Sequence, residues 1–370
     1  MITNTFTVSI PGSHLSCRGM DPASCVFFDI ETTGFKPETS HLYLIGTAVW
    51  DPQSTPGTWI IRQWMSGGPE EEARLLQTFF DFLNSSYTLV HFNGKRFDLP
   101  YLEEKCTQYQ LSSPFAGMES LDLYQDFRTM KSFLNLERMN QRALETFLGL
   151  NREDPYDGGQ LISVYRKFVR TGNSDLIPPL LLHNREDVSG MIRLTSLYSY
   201  WKLLQDGDNH PPFEGNPVCG QLLTRPDGTR EVLLSLALDT PVPIPISHMG
   251  SLGYFSLSEG QAKWLLPVRE EPLCYFFPDY KNYYYLPQED QAIHKSVAIY
   301  VDKQYRQQAV AENCYIRKEG PFLPQPEELF TPSLRSSFRD KQLWFPLTEE
   351  FLQNQEKLAR YLSALIRTLV

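Results

Sequence analysis

Cys25-Val26-Phe27-Phe28-Asp29-Ile30-Glu31-Thr32-Thr33-Gly34 (CVFFDIETTG) is the stretch on which the fold turns. Its first part, Cys25–Ile30, is a short apolar run and predicts a buried strand. Asp29 and Glu31 are two residues apart, so on a strand their side chains point to the same side of the sheet. Two anions side by side at the end of a buried strand are costly unless a cation bridges them. Mg2+ and Mn2+ both prefer carboxylate oxygens. Thr32-Thr33-Gly34 then supplies a turn, where a substrate backbone can approach Gly34 closely.

Working outward, Tyr43–Trp50 (YLIGTAVW) and Trp59–Met65 (WIIRQWM) are β-branched and aromatic, with the Pro/Gly-rich DPQSTPG between them. They predict further strands of a meander. Pro69–Leu83 predicts an amphipathic helix, with Leu75, Leu76, Phe79, Phe80 and Leu83 at helical spacing. Tyr87–Phe92 predicts a strand, a helix follows from about Phe97, and Ser120–Tyr124 (SLDLY) predicts another short strand. The remainder to Leu204 reads as mostly helical. This order predicts an α/β domain, a mixed sheet flanked by helices.

QDGDNHPPFEGNP, residues 205–217, is rich in turn and linker residues. Beyond it, QLLTRPDGTREVLLSLAL places an Asp-Gly turn between apolar runs, a hairpin signal. Ile293–Val310 and Glu349–Val370 predict helices. The expected layout is an N-terminal extension over 1–21, the α/β domain over 22–204, a linker over 205–217, and an α+β region of unknown role over 218–370.

The bulk properties bound the function. A chain of 370 residues exceeds one compact core, so two domains are expected. A hydrophobic share of 41% with 21% charged residues describes an ordinary globular protein. No apolar run approaches the ~20 residues needed to span a bilayer, so no membrane partner is expected. MITNTFTVSIPGSHLS has no basic segment followed by an apolar one, and no secretory signal is read there. None of the six cysteines forms a C-x-x-C pair, which predicts free thiols in a reducing cytoplasm. The net charge of −10, acidic on both sides of residue 210, argues against tight coating of long nucleic acid. It does not oppose a nuclease whose carboxylates hold divalent cations, because the ions reverse the local field.

Two more constellations carry chemistry. In His91-Phe92-Asn93-Gly94-Lys95-Arg96-Phe97-Asp98-Leu99-Pro100-Tyr101-Leu102, a strand runs through a loop into a helix. Asp98 falls in the first helical turn, at a strand's C-terminal edge, where α/β ligands gather. An isolated Asp there is more simply a partner of the helix dipole. In His183-Asn184-Arg185-Glu186-Asp187-Val188, His183 and Asp187 are four apart and share a helix face. Asp122 in SLDLY reads as structural. KNYYYLP at 281–287 offers stacking surfaces for single-stranded bases, although three adjacent tyrosines more simply divide between core and surface.

Taken together, D-I-E-T-T-G, N-G-x-x-F-D-x-P-Y-L and the late H-x-x-x-D resemble the three exonuclease motifs of the DEDD superfamily. That superfamily includes the proofreading exonucleases of DNA polymerases. The fuller resemblance, over roughly residues 22–204, is to the YprB-type predicted exonucleases, a branch of the RNase-H-like fold. SLDLY, LERMNQRALETFLGL, DGGQLISVYRKF and LLLHNREDV extend it. The resemblance implies that Asp29, Glu31, Asp98 and Asp187 bind two Mg2+ or Mn2+ ions, and that His183 orients or deprotonates the attacking water. It implies a partner with a free 3′ end, and contacts to the terminal nucleotide from Thr32, Thr33, Asn93 and Phe97. Here the chain departs from the pattern. Relatives with this four-residue spacing usually carry Tyr, and those with His space it five from the Asp. One residue rotates a helical side chain by about 100°. His183 is therefore expected where the Tyr normally points, and it is shorter.

Two readings of function follow. One is a metal-dependent 3′→5′ exonuclease acting on single-stranded DNA or RNA. The other is a non-catalytic module that binds nucleic acid or protein on the same fold. Protein partners are not legible in the sequence.

Overall fold

A computed structural model describes residues 1–10 and 14–370. Pro11, Gly12 and Ser13, within the expected N-terminal extension, lie outside the described residues. The chain divides into two compact units, Met1–Lys202 and Leu203–Val370.

The first unit is built on a six-stranded mixed sheet. Its strands are β1 (Ile2–Ser9), β2 (Cys25–Thr32), β3 (Leu42–Trp50), β4 (Thr58–Met65), β5 (Thr88–His91) and β6 (Ser120–Asp122), in the order β1-β4-β3-β2-β5-β6. β1 to β4 pair antiparallel, while β5 and β6 run parallel to β2. The helices are α1 (Glu72–Phe82), α2 (Asp98–Tyr109), α3 (Leu123–Phe127), α4 (Gln141–Phe147), α5 (Gly158–Thr171) and α6 (Ile177–Leu194). This is the expected mixed sheet flanked by helices. Val26, Phe28, Leu75, Leu76 and Phe79 are all fully buried in the core between the sheet and α1 and α2. Each such side chain contributes roughly 1.5–3 kcal/mol by leaving water.

Helix α6 positions much of the site. Pro178 sits in its first turn, where a missing N–H breaks no hydrogen bond. The helix lies on β2 and β3. Across the sheet, register aligns Asn4, Gln63, Gly46 and Asp29 in one row. Asn184 of α6 rests on that row at Gly46, where a Cβ would come within 2.0 Å of its Oδ1.

Three expectations require correction. The segment before residue 21 supplies β1, an edge strand paired along its length with β4. Its exposure alternates residue by residue, so Ile2-Thr3-Asn4-Thr5-Phe6 lacks the apolar run that marks a buried strand. The expected linker from residue 205 begins inside a helix, Tyr198–Asp208, and its Phe213 is buried. Ile293–Val310 is not helical throughout. It holds a strand (Gln291–His294), one helical turn (Lys295–Ala298), and a strand pair of residues (Gln307–Gln308). Tyr283–Leu286 pairs with both of those strands, and tertiary pairing overrides the weak helical periodicity.

The second unit is α+β and sheet-rich. Its largest sheet is antiparallel, β7 (Val218–Thr224), β8 (Arg230–Ala237), β9 (Ile246–Gly250), β10 (Gly253–Ser258) and β11 (Gln261–Pro267), ordered β7-β8-β11-β10-β9. β7 and β8 form the hairpin expected around Asp227-Gly228. A closing helix, Gln355–Arg367, packs on β7 through Leu358. Among the described residues, no helix is long and apolar enough to cross a membrane.

Candidate metal centre

The C-terminal end of β2 carries Asp29 and Glu31, and the parallel strand β5 leads through the 92–97 loop to Asp98 at the first position of α2. These three carboxylates thus converge at one end of the parallel part of the sheet. The carboxylate of Asp98 is only 7% exposed and accepts hydrogen bonds from its own N–H and that of Ile30. The loop before it is shaped by Asp122, whose carboxylate accepts from the N–H groups of Asn93, Lys95 and Tyr124 at 2.8, 3.4 and 3.1 Å. Asn93 holds a left-handed φ of 62°, a conformation Asn tolerates better than most residues.

Helix α6 adds His183 and Asp187 to the same place. His183 Nε2 lies 3.3 Å from Asp187 Oδ2 and 3.7 Å from Glu31 Oε1. Ligand atoms of Glu31, His183 and Asp187 all fall within 4.8 Å of one another. The mutual influence of the carboxylates appears in the protonation of Asp29, Glu31 and Asp98. Burial, then the charges of Asp187, Glu31 and Asp98, raises Asp29 well above the ordinary carboxylate range. Burial, then Asp187, Asp98 and Asp154, does the same for Glu31. Burial is also the largest cause at Asp98, which is raised to about 7. Among the described residues, no lysine or arginine forms an ion pair with Asp29, Glu31 or Asp98. The donor set is therefore oxygen-rich, converging and short of positive charge, and it fits a divalent cation.

The other expected contacts frame this cluster. Thr32 Oγ1 donates to Gly34 O at 2.8 Å, closing the turn after β2. The Thr33 hydroxyl accepts from His41 N at 2.9 Å, and its carbonyl accepts from Arg166 at 3.3 Å. Phe97 is half-buried against the core, tilted against Tyr101 and edge-on to Phe35, their centroids 5.6 and 6.0 Å away. Phe35 itself is 88% exposed.

Several residues here escaped the sequence reading. Asn184 donates to Asp29 Oδ2 at 3.0 Å and accepts from Gln63 at 3.0 Å. Arg152 bonds Asp187 Oδ1 at 2.7 Å and grips Glu145 with two nitrogens at 2.5 and 2.7 Å. Burial alone would lower the Arg152 guanidinium; the hydrogen bond to Glu145 and the charge of Asp187 outweigh it and raise it. Glu145 reaches this position because α6 has Gly190 there, where a Cβ would lie 2.1 Å from its Oε1. Asp154 Oδ2 lies 2.5 Å from His183 Nδ1. One signal was available. Asn-Arg-Glu-Asp occurs twice, at 151–154 and 184–187, and the two copies lie against each other.

Residues 26–199 match the RNase_H_2 model of the RNase_H superfamily. The N-terminal unit is an RNase-H-like domain. The domain-bearing chain is 28% identical over 207 residues to the uncharacterized protein YprB of Bacillus subtilis (strain 168). That match covers 55% of this chain and 48% of YprB, so the chain spans about half the length of that relative. Among solved structures, exonuclease I resembles it at 13% identity and a TM-score of 0.34, over 57% of this chain and 55% of that one. Exonuclease I of E. coli in complex with a dA16 oligonucleotide does so at 13% identity and a TM-score of 0.32, over 62% and 55%.

Proposed function

We propose that the RNase-H-like domain is a metal-dependent nuclease that removes nucleotides from the 3′ end of single-stranded DNA or RNA. One observation carries this reading: the partly buried carboxylates of Asp29 and Glu31 and the buried one of Asp98 lie together beside Asp187 and His183, with no lysine or arginine ion-paired to any of the three among the described residues. A cluster of carboxylates raised this far is stable as a set of anions only when a cation joins it.

Asp29, Glu31, Asp98 and Asp187 are the residues that would hold two Mg2+ or Mn2+ ions. When bound, such ions supply a hydroxide near neutral pH and offset charge at the phosphorus and the leaving oxygen. The remaining work belongs to the chain. Asn184 fixes the Asp29 carboxylate on the row of Gly46 and Gln63. Ile30 N–H fixes that of Asp98. His183 presents Nε2 between Glu31 and Asp187 and takes a proton from the attacking water. The turn at Thr32-Thr33-Gly34 and the loop at Asn93 border the terminal nucleotide. Phe97 and the exposed Phe35 give its base a ring to stack on.

The test is a time course on 3′- and 5′-labelled single-stranded DNA and RNA, with Mg2+, Mn2+ or EDTA, comparing wild type with Asp98→Ala. The expected result is a ladder shortening from the 3′ end, absent in EDTA and in the variant. No cleavage by wild type in either metal would leave a binding module on this fold as the better reading.

A further inference from the structure

We propose that Asp154 is the positioning residue that fixes His183 as a base, holding its Nδ1 protonated and leaving Nε2 bare toward the carboxylates. This rests on the nuclease reading above. The role of Asp154 is read from the geometry around its side chain.

The Asp154 carboxylate is fully enclosed and surrounded by donors. Oδ1 accepts from Tyr156 N at 2.9 Å. Oδ2 accepts from Arg142 Nη2 at 3.3 Å and lies 2.5 Å from His183 Nδ1. A carboxylate among such donors acts as an acceptor, so the proton it shares with the imidazole belongs to Nδ1. The lone pair then sits on Nε2, which faces Asp187 Oδ2 at 3.3 Å and Glu31 Oε1 at 3.7 Å. With the opposite tautomer, Nε2 would carry a hydrogen and could not take one from water.

The loop bearing Asp154 is itself anchored to the helix it serves. Glu186 accepts from the N–H groups of Glu153 and Asp154 at 2.8 and 3.1 Å. Arg152 joins Asp187, and Glu145 holds Arg152. Residues 152–154 therefore meet His183, Glu186 and Asp187 at separate points, which limits how far the imidazole and Asp154 can drift apart. This matters at His183 in particular. Its Nε2 edge faces only carboxylates among these contacts, so the orientation of the ring depends on the partner of its Nδ1 edge.

The test uses the full chain, a 3′-labelled single-stranded oligonucleotide and saturating Mn2+ or Mg2+. It compares wild type, Asp154→Asn, His183→Ala and the double variant, and reads the His183 ring nitrogens by 15N NMR. Asp154→Asn is expected to lower kcat about 10²–10⁴-fold, as when a histidine base is presented in the wrong tautomer. KM and the half-saturating metal concentration should stay within about threefold of wild type. The Nε2 resonance should move to its protonated position, because the new amide donates to Nδ1. The double variant should be no slower than His183→Ala, since two residues acting through one group do not add. A kcat for Asp154→Asn near that of wild type would overturn the proposal. So would a loss that adds to that of His183→Ala, which is what a merely structural tie would give. Should Asp154→Asn fail to fold, the wild-type spectrum decides: protonated Nε2 would overturn the assignment. Absence of cleavage by wild type in either metal is a separate result; it would sink the nuclease reading and the positioning role with it.

Discussion

The two sides of the candidate centre differ in how their charges are balanced. On the sheet side, Asp29, Glu31 and Asp98 have no ion-paired lysine or arginine among the described residues, the charge of Arg152 is the smallest named influence on Glu31, and all three are raised by burial. On the helix side, Asp187 already faces Arg152, and His183 is already bonded to Asp154. The sheet side resembles a socket that needs a cation, whereas the helix side is oriented in advance. Binding and geometry are thus divided between different elements, so each can be disturbed separately.

The largest expected effect breaks the sheet side. Asp29→Asn should lower the cleavage rate by about 10³-fold or more, given the several kcal/mol that metal charge supplies. It should also abolish the metal-induced rise in melting temperature; retention of that rise would place the ion elsewhere. Next comes the helix side. Arg152→Gln should weaken half-saturating Mn2+ or the rate by about 10–100-fold, the usual cost of losing a residue that orients a ligand. If it instead tightened metal binding, Arg152 would be a competitor for Asp187 and the comparison would invert.

Metal alone should separate the two sides by stability. At a concentration 100 times its dissociation constant, an ion bound only by the folded state adds about 2.7 kcal/mol, or roughly 5–10 °C for a domain of this size. A wild-type melting curve that EDTA and millimolar Mn2+ leave superimposed would refute it. The pH response follows from Asp98. Its folded pKa is raised to about 7 from an ordinary 3.8, so the fold binds that proton more tightly than the unfolded chain does. Its stabilising contribution is complete below the unfolded value and is lost as pH rises through about 7. Without metal, the melting temperature should fall between about pH 4 and 7, and Asp98→Asn should flatten that fall and be the more stable protein at the alkaline end. The smallest effect concerns the rim. Phe35→Ala should raise KM about tenfold with little change in kcat, within the range for one lost base–ring stack.

What the sequence revealed follows from periodicity. Asp29 and Glu31 were legible because a strand repeats every two residues, and His183 with Asp187 because a helix brings residues four apart together. Asp98 was legible from its place just after a strand. Arg152 and Asp154 lie on a loop with no period, 29 residues from His183 in the case of Asp154, and only the fold brings them to α6. β1 escaped because an edge strand with one wet face looks polar. Residues 293–310 misled because Val and Ile suit a strand as well as a helix face, and the choice was made by Tyr283–Leu286 beside them.

Gly46 has a further consequence for variation at the site. The Asn184 amide occupies the space a side chain at residue 46 would take, so the two positions share one volume. A larger residue at 46 can enter only if 184 shrinks, and a smaller 184 surrenders its hydrogen bond to Asp29. Compensating exchanges that preserve volume would therefore leave the fold intact and the site unsupported. Substitutions at this pair would separate folding from chemistry, although neither residue bears a charge.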